Sequence, residues 1–301
     1  MTRSSVPSNL GPAAALASLS LIWGCNWVVM KVALRDAGPL RFAAWRCALG
    51  AVALFLVLLL SRRPLAPRRG PGIVLLGLLQ TCGFVGLIAL ALENGAVGKS
   101  AVLAYTMPFW TLLLAAMLLG ERIRGIQWLA IGLAAAGLLG ILSPWRGGFS
   151  AADSAFALGA AWCWASANVV AKRMRLGDAD DLLNVSAWQM ATGAAGLMLL
   201  AWLAGSKPVH WSAGFSLALG YNVMMATSLA WLLWLYALSR LPAGVSGLAT
   251  LATPVISIAS GWMVFGEIPS RWEAGGMATI LAALALLSFT GWRRARANAA
   301  D

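Results

Sequence analysis

Long apolar runs alternate with short polar segments along almost the whole chain. Each run has about 20 residues, the length that a helix rising ~1.5 Å per residue needs to cross a bilayer. The pattern predicts ten spanning helices, at about residues 11–32, 40–60, 72–92, 97–119, 125–143, 153–172, 181–204, 212–238, 243–265 and 271–292. The runs lack the period-2 alternation of barrel strands. We therefore expect an all-α membrane protein.

The chain also repeats itself. Residues 91–121 resemble residues 237–267 at one constant offset, and the first predicted helix resembles the sixth at a similar offset. The matched positions are Pro108 with Pro254, Gly120 with Gly266, Glu121 with Glu267, Trp23 with Trp164, and Lys31 with Lys172. We predict two repeats, 1–150 and 151–301, of five helices each. Because five is odd, the second repeat enters the membrane from the opposite side, which gives two inverted-topology five-helix repeats.

Composition and charge agree with a membrane location. The chain is 60% hydrophobic and only 11% charged, whereas about a quarter of a soluble chain is charged. Its net charge is +12, and most of the Lys and Arg residues lie in loops that face one side if the N-terminus is cytoplasmic. The positive-inside rule then places both termini in the cytoplasm. These residues form no contiguous basic face, so we expect the lipid bilayer as a partner and no nucleic acid.

The two matched prolines give the strongest local indication of a functional site. Pro108 and Pro254 fall near the centres of their predicted helices, where proline removes a backbone donor and breaks the helix. Broken helices in corresponding positions of two halves are the best sequence indication of a transport site. The alternative is a plain kink that improves packing.

Polar and aromatic residues near these breaks are predicted to bind a small-molecule substrate. The predicted site comprises Trp23, Asn26, Phe84, Tyr105, Thr106, Pro108, Trp164, Asn168, Asn222, Thr253 and Pro254. Helix packing is the alternative for the tryptophans, and interhelical hydrogen bonding is the alternative for the asparagines. Glu121 and Glu267 end matching helices, and we expect each to be a helix-end cap or a gate contact.

Other chemistry is sparse. Every acidic residue lies at or beyond a helix end, which argues against a buried-carboxylate proton relay. The four cysteines have no ligand spacing, and no catalytic or phosphate-binding motif occurs, so we expect no metal, no cofactor and no enzyme activity. Arg46, inside the second predicted helix, either snorkels outward or pairs within the bundle. Gly132, Gly137 and Gly140 are predicted to be close-packing positions between helices.

These features together resemble a known family. The ten spans, the duplication, the Pro-then-Gly-Glu ending of helices 4 and 9, and the string LIWGCNWVVMK at 21–31 look like the EamA branch of the drug/metabolite transporter superfamily. The resemblance implies a central cavity lined by helices 1, 3, 4, 6, 8 and 9, and export of amino acids or similar metabolites across the bacterial inner membrane. Trp23, Tyr105 and Trp164 match the aromatic cavity residues of aromatic amino acid exporters in this branch. Met107 stands where some of those exporters have Trp.

The resulting expectation is a monomeric exporter that works by alternating access and is facilitative or weakly coupled. Two alternatives remain. One is multidrug efflux of lipophilic compounds by proton antiport, which normally needs a Glu in helix 1 that is absent here. The other is an intramembrane enzyme or receptor.

Overall fold

The chain is helical wherever its structure is described. The computed structural model describes residues 10–67, 70–123, 125–142, 151–174, 179–230, 233, 236 and 252–297, and within them no residue is in a β-strand. The helices are α1 (Leu10–Ala33), α2 (Pro39–Leu60), α3 (Gly70–Leu76), the π-helix π1 (Gly77–Val85), α4 (Gly86–Asn94), α5 (Val97–Ala104), α6 (Met107–Leu119), α7 (Gly125–Leu142), α8 (Ala151–Met174), α9 (Ala179–Leu203), α10 (Ala213–Tyr221), the π-helix π2 (Asn222–Leu229), α11 (Ala252–Phe265) and α12 (Arg271–Ala297).

Seven segments of the described chain are helical, long and apolar enough to cross a membrane. They are Ala14–Ala33, Pro39–Leu60, Gly70–Asn94, Val97–Leu119, Gly125–Leu142, Ala151–Met174 and Arg271–Phe289, and α11 is a shorter apolar helix. The prediction of an all-α, multi-pass membrane protein is confirmed. The count of ten spans stays a prediction.

Two of the predicted spans contain a π-helix that the sequence pattern did not predict. π1 joins α3 to α4 without interruption, and π2 continues α10. These segments are the predicted third and eighth helices, so the two π-helices occupy corresponding places in the two halves. A π-helix widens the turn and is frequent at functional sites.

Helices of one half pack mainly against helices of the other half. α2 runs along α9, and α7 runs along α12. The first helix of each half, α1 or α8, packs on the proline-containing helix of the opposite half, α11 or α6, and on its π-helical segment. The packing is therefore symmetric under exchange of the two halves.

The predicted break near Pro108 is confirmed. α5 ends at Ala104, and α6 begins at Met107 with Pro108 in its first turn. Thr106, between the two helices, is buried, and its hydroxyl donates to the Leu103 carbonyl at 2.6 Å. Pro254 likewise lies in the first turn of α11, while the predicted matching break falls partly on residues 237–251, outside the described residues.

Glycines allow the close crossing of α7 and α12. A Cβ atom at Gly137 would lie 2.7 Å from the carbonyl oxygen of Gly276, and one at Gly140 would lie 3.1 Å from the Gly276 Cα. Both positions are close-packed, as predicted. The prediction for Gly132 is wrong, because a Cβ there has open space around it.

Replacing Gly137 with Leu is expected to destabilise the protein by about 1–3 kcal/mol, because the new side chain has no room at this crossing. Gly132→Leu is the matched control on the same helix and should unfold at nearly the wild-type temperature. Thermal unfolding of both variants in detergent measures the difference. Equal shifts for the two variants would contradict this account of the crossing.

Candidate functional site

An ion pair joins α1 to the end of α11. Lys31 Nζ lies 2.7 Å from Glu267 Oε1 and also donates to the Gly95 carbonyl at 2.7 Å. The other carboxylate oxygen of Glu267 accepts the Val97 N–H at 2.7 Å. The Lys31–Glu267 pair therefore ties α1 and α11 to the short connection between α4 and α5.

The matching residues form a second ion pair. Lys172, near the end of α8, pairs with Glu121, just beyond the end of α6. Its neighbour Arg173 donates to the Leu118 carbonyl at 2.8 Å. Because Lys31 matches Lys172 and Glu267 matches Glu121, each pair joins the first helix of one half to the proline-containing helix of the other.

The two pairs differ in burial. The side chains of Lys31 and Glu267 are 22% and 17% exposed, and Lys31 Nζ lies 5.2 Å from the centroid of the Phe265 ring. The side chains of Lys172 and Glu121 are 59% and 43% exposed. An exposed pair typically contributes about 0–1 kcal/mol, whereas hydrogen bonds to charged groups with less solvent around them contribute about 1–3 kcal/mol. The Lys31–Glu267 pair is therefore the stronger contact.

The two pairs lie at opposite ends of one membrane-spanning segment. Val97, at the first residue of α5, contacts Glu267, and Glu121 follows the last residue of α6. The segment Val97–Leu119 is roughly 35 Å long at about 1.5 Å per residue. The pairs therefore close opposite ends of the bundle.

A left-handed glycine precedes each glutamate. Gly120 has φ 69° and Gly266 has φ 66°, and Gly120 is the C-cap of α6. Glycine adopts this conformation without steric penalty and commonly ends helices. Each Gly-Glu turn lies at the end of its helix, and it directs the carboxylate away from that helix towards a lysine of the opposite half.

Between the two ends, α1 is hydrogen-bonded to π2 and α11. The Trp23 indole N–H donates to the Ala226 carbonyl at 3.1 Å, and the Tyr221 hydroxyl donates to the Ile22 carbonyl at 2.8 Å. On the other side, Ser257 Oγ donates to the Gly24 carbonyl at 3.2 Å. Trp23 is thus held between helices, with part of its side chain still exposed.

Three buried oxygens in this region have no hydrogen-bond partner among the described residues. They are Asn26 Oδ1, Asn222 Oδ1 and Thr253 Oγ1, and their residues are 4%, 0% and 0% exposed. The Asn222 amide donates to the Ala218 carbonyl at 2.9 Å, which leaves its oxygen available. The Tyr105 side chain lies beside Thr253. Because buried polar atoms in proteins are nearly always hydrogen-bonded, these oxygens mark a place where a ligand or water can bind.

The other predicted site residues lie elsewhere in the bundle. The Phe84 and Trp164 rings contact each other, with centroids 4.7 Å apart. Asn168 donates to Thr111 Oγ1 at 3.3 Å, the interhelical hydrogen bond that was the alternative for this residue. The Thr106 hydroxyl is engaged twice, since it also accepts the Trp110 indole N–H at 3.2 Å. The described residues contain no group of His, Cys, Asp and Glu side chains that could hold a metal ion.

Sequence reasoning missed several functional contacts. Lys31 and Lys172 were recognised as matched residues but were not assigned as partners of the matched glutamates. The available signal was their joint occurrence, because two lysines and two glutamates repeat together at the ends of apolar helices. Ser257 has no matched residue in the other half, so the repeat gave no signal for its bond to the Gly24 carbonyl.

This architecture defines a multi-pass helical membrane protein built from two similar halves. The model of the EamA-like transporter family matches residues 11–143 and again residues 154–289, so the chain belongs to that family, within the drug/metabolite transporter superfamily. The protein is therefore a membrane transporter.

Individual relatives agree with this assignment. The chain is 28% identical to the uncharacterized transporter YoaV of Bacillus subtilis (83% of this chain, 87% of that one). It is 25% identical to the uncharacterized inner membrane transporter YedA of Escherichia coli K12 (91% and 89%) and 26% identical to a probable amino-acid metabolite efflux pump of Salmonella typhimurium (88% and 90%). One solved crystal structure aligns with a TM-score of 0.64 at 20% identity over 95% of this chain and 99% of that one, which shows the fold alone.

Alanine at Trp164 is expected to reduce transport several-fold while folded protein is still recovered, because the Phe84–Trp164 contact would be lost from the predicted cavity wall. Trp202→Ala is the matched control, since Trp202 is 72% exposed on α9. Transport by equal amounts of monodisperse protein in proteoliposomes measures the effect. Full activity of Trp164→Ala would contradict a role for this ring in the substrate path.

Proposed function

We propose that this transporter exports amino acids or similar small metabolites across the bacterial inner membrane by alternating access. The observation that carries the proposal is that two matched ion pairs, Lys31–Glu267 and Lys172–Glu121, each join one half of the chain to the other at opposite ends of the bundle. A polar centre with unpartnered acceptors lies between them. This arrangement suits a binding site that opens to one side at a time.

The proposed topology is ten helices in two inverted repeats, residues 1–150 and 151–301, with both termini cytoplasmic. Two findings support it. The family model matches once in each half, and the halves pack symmetrically. In this topology the Lys31–Glu267 pair closes the extracytoplasmic end, and the Lys172–Glu121 pair closes the cytoplasmic end.

Alternating access follows from the symmetry. Two halves of similar structure can exchange conformations, which gives two packings of similar free energy. Glu121 and Glu267 are then gate contacts as well as helix-end residues. In the conformation described here, the Lys31–Glu267 gate is the more buried one, so the extracytoplasmic end is the more firmly closed.

The substrate class rests on the relatives and on the chemistry of the centre. The Salmonella typhimurium relative is named as an amino-acid metabolite efflux pump. The oxygens of Asn26, Asn222 and Thr253 can accept hydrogen bonds from a substrate. The proposed site also contains Trp23, Phe84, Tyr105, Trp164 and Asn168, with Thr106, Pro108 and Pro254 shaping the breaks. A single chain contains both halves of this site and serves as the transporting unit.

Transport is proposed to be facilitative or weakly coupled. A carboxylate held near the membrane midplane is the usual carrier of coupled protons, and every Asp and Glu of this chain lies at or beyond a helix end. Proton-driven multidrug efflux would require such a group. Substrate can therefore move down its own gradient while the two conformations interconvert.

Counterflow in proteoliposomes tests the function. Vesicles loaded with unlabelled phenylalanine, leucine or threonine should accumulate the same labelled amino acid transiently, whereas empty vesicles should not. An imposed proton gradient should change the final level by less than about twofold. Concentrative uptake that collapses with an uncoupler would contradict facilitated transport, and the absence of counterflow for every amino acid would contradict the substrate class.

The gates can be tested separately through the accessibility of a cysteine placed at position 26 in a variant that lacks Cys25, Cys47, Cys82 and Cys163. Glu267→Gln removes the extracytoplasmic ion pair and should increase labelling by an external impermeant maleimide about fivefold or more, the factor that corresponds to about 1 kcal/mol. Glu121→Gln weakens the Lys172–Glu121 pair at the cytoplasmic end. Labelling from outside should therefore stay at the level of the parent variant or fall below it.

Two further variants control this experiment. Glu273→Gln removes a carboxylate that pairs with Lys99 at 3.2 Å, joining α12 to α5 rather than α1 to α11, and should leave labelling unchanged. The charge exchange Lys31→Glu with Glu267→Lys should lower the labelling again, but only in part, because the exchanged pair cannot make the hydrogen bonds to the Gly95 carbonyl and from the Val97 N–H. Equal labelling in the Glu267→Gln and Glu121→Gln variants would show that the pairs are not gates.

A further inference from the structure

Arg46 is a cation inside the bundle that has no acidic partner there. It lies in the second turn of α2, and its Nη1 is 2.8 Å from Met30 Sδ on α1. Met30 is only 4% exposed, so the guanidinium points into the protein and does not snorkel outward. Within the described parts of the chain, no carboxylate lies at ion-pair distance from Arg46. An ionisable residue inside a membrane bundle usually serves a substrate or ion pathway.

Arg46 reaches from α2 to Met30 on α1. The backbones of the two helices hardly approach each other in the described structure, whereas α2 packs closely along α9 and π2. The side chains of α1 and α2 nevertheless meet in one hydrophobic cluster that includes Met30 and Phe42, with Trp45 packed against it. The guanidinium therefore lies beside an apolar surface that both helices build.

The unpartnered amide oxygens lie at the same depth as Arg46. On α2, Arg46 is one turn from Phe42 and one turn from Gly50, and all three share a helix face. Phe42 contacts the Phe215 ring at a centroid distance of 6.3 Å, and a Cβ atom at Gly50 would lie 3.1 Å from Thr227 Cγ2. Asn222 lies between these two contact points on the neighbouring α10–π2 segment.

Asn26 approaches this level from α1. It lies one turn before Met30, which Arg46 contacts, and one turn after Ile22, whose carbonyl accepts the Tyr221 hydroxyl. These contacts place the two buried acceptor oxygens, from α1 and π2, within roughly one or two helical turns of Arg46 along the bundle.

We propose that Arg46 binds the α-carboxylate of the substrate, and that Asn26 Oδ1 and Asn222 Oδ1 accept hydrogen bonds from its α-ammonium group. A guanidinium matches a carboxylate through two parallel hydrogen bonds, and amide oxygens accept from ammonium donors. A zwitterionic substrate thus supplies a carboxylate for the Arg46 guanidinium and N–H donors for the oxygens of Asn26 and Asn222. This inference rests on the proposed function and narrows the substrate to molecules with a free α-amino and a free α-carboxyl group.

Competition against labelled phenylalanine in counterflow tests the inference. Phenylalaninamide lacks the carboxylate, and N-acetylphenylalanine lacks the ammonium group. In the wild-type protein both should compete about 10- to 100-fold less well than phenylalanine, the loss expected for hydrogen bonds to charged groups. Arg46→Gln should lower the apparent affinity for phenylalanine by the same factor and leave the apparent affinity for phenylalaninamide unchanged. The variant should then no longer distinguish the two compounds. Asn222→Leu should instead abolish the higher apparent affinity for phenylalanine than for N-acetylphenylalanine.

Two controls separate binding from folding. Arg41→Gln removes an arginine nearer the start of α2 and should keep the wild-type preference. Phenylalanine should raise the unfolding temperature of the wild-type protein and the Arg41→Gln variant in detergent but not that of Arg46→Gln, which tests binding without transport. Arg46→Met serves in the same assays if Arg46→Gln is not recovered folded.

The possible failures are distinguishable. If phenylalanine, leucine and threonine all fail to show counterflow with the wild-type protein, the proposed function is overturned, and this inference with it. If the wild-type protein transports an amino acid and Arg46→Gln retains the preference for it over its amide, only the assignment of Arg46 is overturned.

Discussion

The bilayer requires each polar group to find its partner inside the protein, and most features of this structure follow from that constraint. Within the hydrocarbon core, a regular helix pairs its own backbone N–H and C=O groups. Where the helix is irregular, another group of the protein has to supply the missing hydrogen bonds. At the α5–α6 break Thr106 supplies it, by donating to the Leu103 carbonyl and accepting the Trp110 indole. Trp23 on α1 and Ser257 on α11 donate hydrogen bonds to backbone carbonyls across helix crossings. The oxygens of Asn26 and Asn222 are among the few buried acceptors that lack a partner in the described part of the chain.

The same constraint explains why charges collect at the ends of the bundle. Lys31 and Glu267 share their hydrogen bonds with Gly95 and Val97, so the pair replaces lost hydration with several contacts. The Lys172–Glu121 pair is more exposed and is stabilised less by its surroundings. In the proposed cycle, two matched contacts of unequal strength would favour closure of one end of the bundle over the other.

The fold could be predicted from the sequence to a large extent, because apolar length and internal repetition are one-dimensional signals. The break near Pro108, the Gly-Glu helix ends and the close packing at Gly137 follow from local chemistry. The π-helices could not be predicted, since a widened turn in Gly77–Val85 depends on packing rather than on a local motif. Gly132 is a case in which a local pattern misleads. Its position among the glycines of α7 suggests close packing, but a Cβ atom there would face open space. The residues of the substrate site stay a prediction. The pairing of Lys31 with Glu267 could not be predicted, because it joins opposite halves of the chain and depends on the three-dimensional packing.

A zwitterionic substrate would reconcile two features of the centre that otherwise conflict. No Asp or Glu of the sequence falls near the centre of a predicted span, which removes the usual carrier of a coupled proton, yet the half-buried cation Arg46 lies within α2. Burying a lone cation in the bundle is costly, and a permanent acidic partner would offset this cost but would also occupy the site. A substrate carboxylate offsets it only while the substrate is bound, and the substrate ammonium keeps the added charge at zero. The occupied centre then crosses between the two conformations with the same net charge as the empty one, so neither a membrane potential nor a proton is needed to reset it.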